Sequence, residues 1–360
     1  MPTWGQLLGE LLSLEQEHVP PAPGAPLAPE DLISPLDKLR RIYLAKLSAR
    51  TGRAIITYYS GFQEHPEAPP RVLQVNSADM AGFMEACSDA PEDEVDLFLH
   101  SPGGESDAAE QICAYLRTQF SHIRAIVPVY AMSAATMMAL SADEILMGAH
   151  SQVGPIDPQI TITTPSGPRS ASAQAIRDQF AMALTQCKDP TNLAAWTPIL
   201  RDYSPGLLAT CDHAAKRAKQ IVATALEKYM LAGLEDPAKT AGEAAEWFGN
   251  AAEFLSHGRP VRRDEAREHE IVVNDLEDDA ELQDLVLSVH HAAMLTLSRT
   301  GTTKLIENHR GRAWVNQVQH VQAQMIAIPG PPGGPALTPP ALGGRKNPPP
   351  HSPRKRNRKR

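Results

Sequence analysis

The chain has 360 residues, a formal net charge of −8 and only four cysteines. The length suits one large α/β domain with additions or two modest domains, and the charge disfavours general nucleic-acid binding by the globular part. No stretch has the roughly 18 consecutive apolar residues of a membrane span or the pattern of a secretory signal, and Cys87, Cys113, Cys187 and Cys211 lack CxxC or zinc-like spacing; a cytoplasmic protein with reduced thiols is expected.

Residues 1–18 place Leu7, Leu8, Leu11, Leu12 and Leu14 at the spacing of a short amphipathic helix, which needs something to pack against. The proline-rich stretch 20–29 reads as an extended connector. Helix resumes over 34–51, with Leu36, Leu39, Ile42, Tyr43 and Leu47 on one face, and 53–62 is the first strand. Ser77 then caps a helix carrying Met80, Phe83 and Met84.

The central stretch, 94–159, reads as strand, glycine turn, helix, strand, tight turn, helix, strand and closing loop. Val95, Leu97, Phe98 and Leu99 form one apolar run and Ile123, Ala125, Ile126 and Val127 another, as in strands buried on both faces of a parallel sheet. Ala108, Ile112 and Leu116 mark the helix between them, so the unit is βαβ.

Both turns therefore project from one end of the sheet. The first is Ser101-Pro102-Gly103-Gly104, where glycines allow positive φ and leave backbone N–H groups open. The second sets Ser133 among Ala131, Met132, Ala134 and Ala135 at a helix start, where the helix end adds partial positive charge. A carbonyl held between them is open to attack by Ser133, with its oxyanion bound by the N–H of Gly103 or Gly104 and that of Ala134. The plainer alternative is a βα turn and a capping serine.

The succession SPGG, AMSAAT and ADEILMGAHSQVGPIDPQ resembles the ClpP/crotonase superfold, and within it the signal-peptide-peptidase-like serine dehydrogenase proteinase family. The resemblance extends from the opening MPTWGQLL through SHGRPV to the segment near IENHRG. It implies a serine peptidase with Ser133 as nucleophile and Gly103 and Gly104 as the oxyanion turn. ClpP-type enzymes place a histidine in the loop after the third strand, whereas here that loop reads Val153-Gly154-Pro155-Ile156-Asp157-Pro158. Signal peptide peptidases instead use a lysine downstream of the serine. Lys188 follows Ser133 by 55 residues, a similar separation, and is the expected general base. A lysine acts so only when neutral, which requires burial or neighbouring positive charge. His150, Lys216 and Lys219 are weaker candidates.

Beyond the central unit, 160–172 reads as a loop or a flap over the site. Helices are expected over 175–188, 193–201, 204–232, 238–254 and 277–299, an outer layer of the kind through which this superfold forms rings. His257, in Ser256-His257-Gly258-Arg259-Pro260, either orients an active-site group or caps structure. Residues 271–273 are strand-like, and 313–315 form a terminal strand or helix. His290 and His291 are adjacent and cannot share a face at ligand spacing. The Pro/Gly-rich tail ends in a run of Arg and Lys and reads as disordered.

The expectation is an α/β protein with a ClpP/crotonase-like core, a helical outer layer and a disordered tail. It divides into a helix and connector (1–33), a peptidase domain with helical extension (34–328) and a basic tail (329–360). Its substrate is a peptide or protein, it is a homo-oligomer without cofactor or metal, and only the tail could meet nucleic acid or an acidic partner. Two other classes stay open: a catalytically silent peptide-binding scaffold, and a crotonase-type acyl-CoA enzyme.

Overall fold

The computed structural model describes residues 2–18, 33–164 and 167–318. The connector expected at 20–29 and the tail at 329–360 lie outside the described residues. The first helix, α1 (Trp4–Glu17), starts from a capping box between Thr3 and Gln6, and α2 (Pro35–Thr51) from one between Ser34 and Asp37. Leu7 and Leu11 are buried with Leu39, Tyr43, Leu44 and Leu47. The partner that α1 needs is thus supplied by the chain itself.

The central stretch follows the expected order. After β1 (Ala54–Ser60), a short α3 (Pro70–Leu73) and α4 (Asp79–Cys87) come β2 (Glu94–His100), α5 (Ser106–Gln119), β3 (His122–Val127), the two-residue β4 (Tyr130–Ala131), α6 (Ala134–Leu140) and β5 (Glu144–Met147). In the parallel ladder Ile56 pairs with Leu97, Leu97 with Ala125 and Ala125 with Ile145. Burial on both faces accounts for the unbroken apolar runs of these strands.

The remaining elements are β6 (Gln152–Val153), β7 (Gln159–Thr164), β8 (Gly167–Ser172), α7 (Ala173–Gln186), α8 (Leu193–Leu200), α9 (Leu207–Lys228), α10 (Pro237–Phe248), α11 (Ala251–Phe254), α12 (Arg263–Arg267), β9 (Val273–Asp275), α13 (Ala280–Arg299), β10 (Thr302–Asn308) and β11 (Ala313–Gln317). They complete a seven-stranded sheet ordered β11-β10-β1-β2-β3-β5-β9. It is parallel from β1 to β9, with β10 and β11 antiparallel at one side. Helices α4, α5, α6, α9 and α10 cover one face, while α1, α2 and α13 cover the other.

Two segments differ from expectation. Residues 160–164 and 167–172 belong to the antiparallel strands β7 and β8 rather than a loop, with Ile160 and Ile162 packed against Ala173, Ile176 and Leu207. The alternation in Ile160-Thr161-Ile162-Thr163 is a strand signal. The C-terminal segment supplies two strands, of which β10 is an inner one, buried along its whole length between β1 and β11. Its Lys304 and Glu307 obscure an apolar pattern because each is matched by a buried partner, Asp79 and Arg40 respectively.

Candidate active site

The C-terminal ends of β2 and β3 carry the two turns to one place. Ser101 N–H donates to Tyr130 O and Met132 N–H to Ser101 O, both at 3.0 Å, so a short parallel bridge joins them. Ser133 then turns sharply, with φ 52° and ψ −118°, and α6 begins without a side-chain cap. Ser133 stands at the N-cap position, but its hydroxyl makes no capping bond and is uncommitted by the helix. A non-glycine residue in that region of backbone space costs about 1–3 kcal/mol and persists only where its surroundings impose it. Thr136 Oγ1 helps to impose it, donating to Ala131 O at 2.7 Å and accepting from Gly154 N at 2.9 Å.

The glycine turn packs against this serine. A Cβ on Gly103 would lie 2.4 Å from Met132 O and 2.6 Å from Ser133 Cβ, and one on Gly104 would lie 2.3 Å from Val75 O. Neither position tolerates a side chain. The two glycines differ in their N–H groups: that of Gly103 donates to Ser101 Oγ at 3.1 Å, whereas that of Gly104 has no acceptor among the described residues. Ala134, as the first residue of α6, has no preceding helical carbonyl to receive its N–H. Gly104 and Ala134 are thus the free donors, and Gly103 provides closeness.

Behind the turn lies a buried polar network. Lys304 Nζ donates to Asp79 at 2.6 Å and to Gln74 O at 2.6 Å, while Tyr58 OH donates to Asp79 at 2.8 Å. Val75 N donates to Gly103 O at 2.8 Å and receives Glu105 N–H on its own carbonyl at 2.9 Å. The ion pair thereby fixes the segment to which the glycine turn is tied.

Ser133, Gly104 and Ala134 open into a cleft of about 530 Å³. Its walls include Met137, Ile156, Ala214 and Ala218, the hairpin residues Gln159, Ile160, Thr161 and Ser170, and His257. His257 Nδ1 lies 2.8 Å from Asp157 Oδ1, and Gln159 Nε2 donates to Asp157 Oδ2 at 2.8 Å. The Asp157 side chain is 5% exposed and that of His257 28%. Backbone pairs join their two segments: Val153 N to Val261 O at 3.0 Å, Val261 N to Val153 O at 2.8 Å, and Ile156 N to Phe248 O at 2.9 Å.

Lys188 is elsewhere. It is exposed just beyond α7 and lines a separate surface pocket with Phe180, Leu184 and Leu193. The reason is geometric: α7 starts beside the cleft, where Ala173 N donates to Pro158 O at 2.9 Å, and its 14 residues carry the far end roughly 20 Å away. His150 packs over Gly148 near Glu277, outside the cleft lining. Lys216 is exposed, and Lys219 pairs with Glu246 at 2.6 Å. His290 is buried against Tyr59 and His100, and no metal-ligating cluster occurs among the described residues. Asp157, whose position beside His257 no sequence pattern marks, is visible in the sequence only as a carboxylate in the loop that passes the serine.

Residues 70–178 match the family model of ClpP-like SDH-type serine proteinases, the family that the motifs resemble. Two uncharacterised proteins of Methanocaldococcus jannaschii, MJ0137 and MJ1495, are 43% and 42% identical over 83 residues, or 23% of this chain. The matches span only 29% and 28% of those relatives' lengths. Similar solved structures include two of the 1510-N membrane-bound stomatin-specific protease. One, a serine-to-alanine mutant, has 15% identity and a TM-score of 0.35, covering 59% of this chain and 79% of that one. The other, a lysine-to-alanine mutant in complex with a substrate peptide, has 16% identity and a TM-score of 0.36, covering 58% and 74%.

Proposed function

From the match of residues 70–178 to ClpP-like SDH-type serine proteinases, we propose that this chain is a serine peptidase that forms an acyl-enzyme at Ser133. One observation carries the reading: a strained, uncapped serine faces a cleft where the N–H groups of Gly104 and Ala134 lack acceptors. Those donors suit the oxyanion that appears when the serine oxygen attacks a carbonyl.

The substrate is an extended peptide. β7 is paired on one edge only, by β8, and lies along the cleft, so its other edge offers backbone groups to an added strand. The lining includes Glu105 and neither lysine nor arginine, the wrong charge for the phosphates of an acyl-CoA. A cytoplasmic homo-oligomer is the proposed setting. Four unpaired thiols suit a reducing compartment, and Met182, Leu184, Leu193 and Ile199 on α7 and α8 are exposed apolar side chains of the kind that subunit contacts cover. No helix among the described residues is long and apolar enough to cross a membrane.

The serine/lysine form of the mechanism requires Lys188 to reach Ser133, and Lys188→Ala would then abolish reactivity. A fluorophosphonate probe tests the nucleophile directly. The expected adduct is on Ser133, located by mass spectrometry and absent from Ser133→Ala. A folded protein that takes no label favours the silent peptide-binding scaffold.

A further inference from the structure

The cleft beside Ser133 carries one carboxylate, Glu105, and no lysine or arginine joins it among the lining residues. Backbone bonds fix its place directly after the oxyanion turn: Glu105 N–H donates to Val75 O at 2.9 Å, and Val75 N–H donates to Gly103 O at 2.8 Å. The fold makes no use of the carboxylate itself. Glu105 stands at the N-cap of α5 without a side-chain capping bond, is exposed, and has no hydrogen-bond or ion-pair partner among the described residues. The next carboxylates of α5 differ, since Asp107 and Glu110 both pair with Arg217. Lys304 feels the Glu105 charge, which pulls its pKa upward against desolvation, but its Nζ is already held by Asp79 and Gln74 O. Two further side chains line the cleft around the same turn, Gln74 and Ser106, and neither makes a side-chain hydrogen bond among the described residues. Gln74 is close in, for a Cβ on Gly104 would lie 3.0 Å from its own.

We propose that Glu105, with the side-chain oxygens of Gln74 and Ser106, seats a cationic side chain of the peptide, so that the site selects lysine or arginine beside the bond it cleaves. The inference rests on the reading of Ser133 as a peptidase nucleophile. An ammonium or guanidinium can only donate hydrogen bonds, and a carboxylate flanked by two more oxygens is the matching acceptor set. Glu105 follows the Gly104 donor immediately, and an extended peptide advances roughly 3.3 Å per residue, which puts the selected side chain within about two residues of the scissile bond. The rest of the lining makes the charge count for more. Met137, Ile156, Ala214 and Ala218 are apolar, and a bound peptide displaces water, so the pair is less screened than one on an open surface. The α-ammonium at the end of a peptide has the same chemistry, and the test separates the two.

The test is cleavage-site profiling of the full chain on random-sequence peptides with acetylated N-termini, the products being mapped by mass spectrometry and the folding of each variant followed by circular dichroism. The wild type should enrich lysine and arginine over glutamine and methionine by about ten-fold at one position near the cleaved bond, the lower end for a hydrogen bond to a charged group. Glu105→Gln should remove that enrichment, and Glu105→Arg should transfer it to aspartate and glutamate at the same position. Each preference is a ratio within one variant's own products, so a change in overall rate does not enter it. Wild-type cleavage without a preference for cations, or a preference that survives both substitutions, overturns the seat and leaves the nucleophile standing. Cleavage confined to unacetylated peptides, next to their free amino ends, overturns the side-chain assignment in favour of the α-ammonium. No cleavage by the wild type overturns the seat, and where Ser133 also takes no fluorophosphonate the nucleophile falls with it.

Discussion

At Ser133 the backbone conformation and the chemistry are one problem. The residue keeps φ 52° because Gly103 lets the preceding turn approach to van der Waals distance and because Thr136 anchors the carbonyl of Ala131. Gly103 itself sits at φ 92°, where an L side chain is strained even in open space. Gly103→Ala should therefore abolish labelling of Ser133 and destabilise the protein by about 2–4 kcal/mol, through a backbone clash no rotamer can relieve. Gly233→Ala is the matched control, since a Cβ there meets nothing within 4 Å. Urea titration and probe labelling of the two variants check this, and a stable, fully reactive Gly103→Ala would refute it. This requirement was legible in the sequence as two glycines after a strand. The choice of Gly104 over Gly103 as the free donor beside Ala134 was not, because it depends on Ser101 Oγ occupying the Gly103 N–H.

Among elements, the parallel ladder and its helices were readable because apolar runs and four-residue stripes report burial directly. The pairing of the 153–157 loop with the segment ending at Val261 left no such trace, being made of backbone bonds between distant, irregular stretches. β10 was obscured differently. Its Lys304 is buried, and burial lowers its pKa while the Asp79 charge opposes that fall. A sequence pattern scores that residue as exposed, whereas its partner lies 225 residues earlier. Removing one half of such a pair leaves an uncompensated charge, so Lys304→Met should destabilise by about 3–5 kcal/mol. Adding Asp79→Leu to it should return much of that stability. Reactivity at Ser133 should stay low, because Lys304 also holds the carbonyl of Gln74, next to the residue that ties the glycine turn. Denaturant unfolding and labelling of the single and double variants separate the two effects; full reactivity in the double variant would show that the network is not needed to position the turn.

At the scale of the whole molecule, the sheet is clamped between two helical layers, and one of those interfaces carries a buried histidine pair. His100, at the end of β2, faces His290 of α13 with ring centres 5.3 Å apart, and Tyr59 and Phe62 complete the surround. Neither ring nitrogen of His100 has a hydrogen-bond partner among the described residues. Burial pushes its pKa down to about 4, and burial together with the neighbouring imidazoles lowers that of His290 well below the ordinary value. In both cases the folded state resists a proton that the unfolded chain accepts near pH 6.5. The unfolded state thus binds more protons as pH falls from about 6.5 toward 4, and stability is lost across that window, present above it and declining below. For His100 alone the loss is roughly 2 kcal/mol between pH 7 and pH 5, and His290 adds to it in the same direction. Chemical denaturation at a series of pH values should show this slope, and His100→Gln should flatten it even if its stability at pH 7 is lower. An unchanged slope in that variant would place the acid sensitivity in other groups. Because α13 closes over the strand that leads into the glycine turn, loosening this interface by acid should also slow labelling of Ser133 in the wild type more than in His100→Gln.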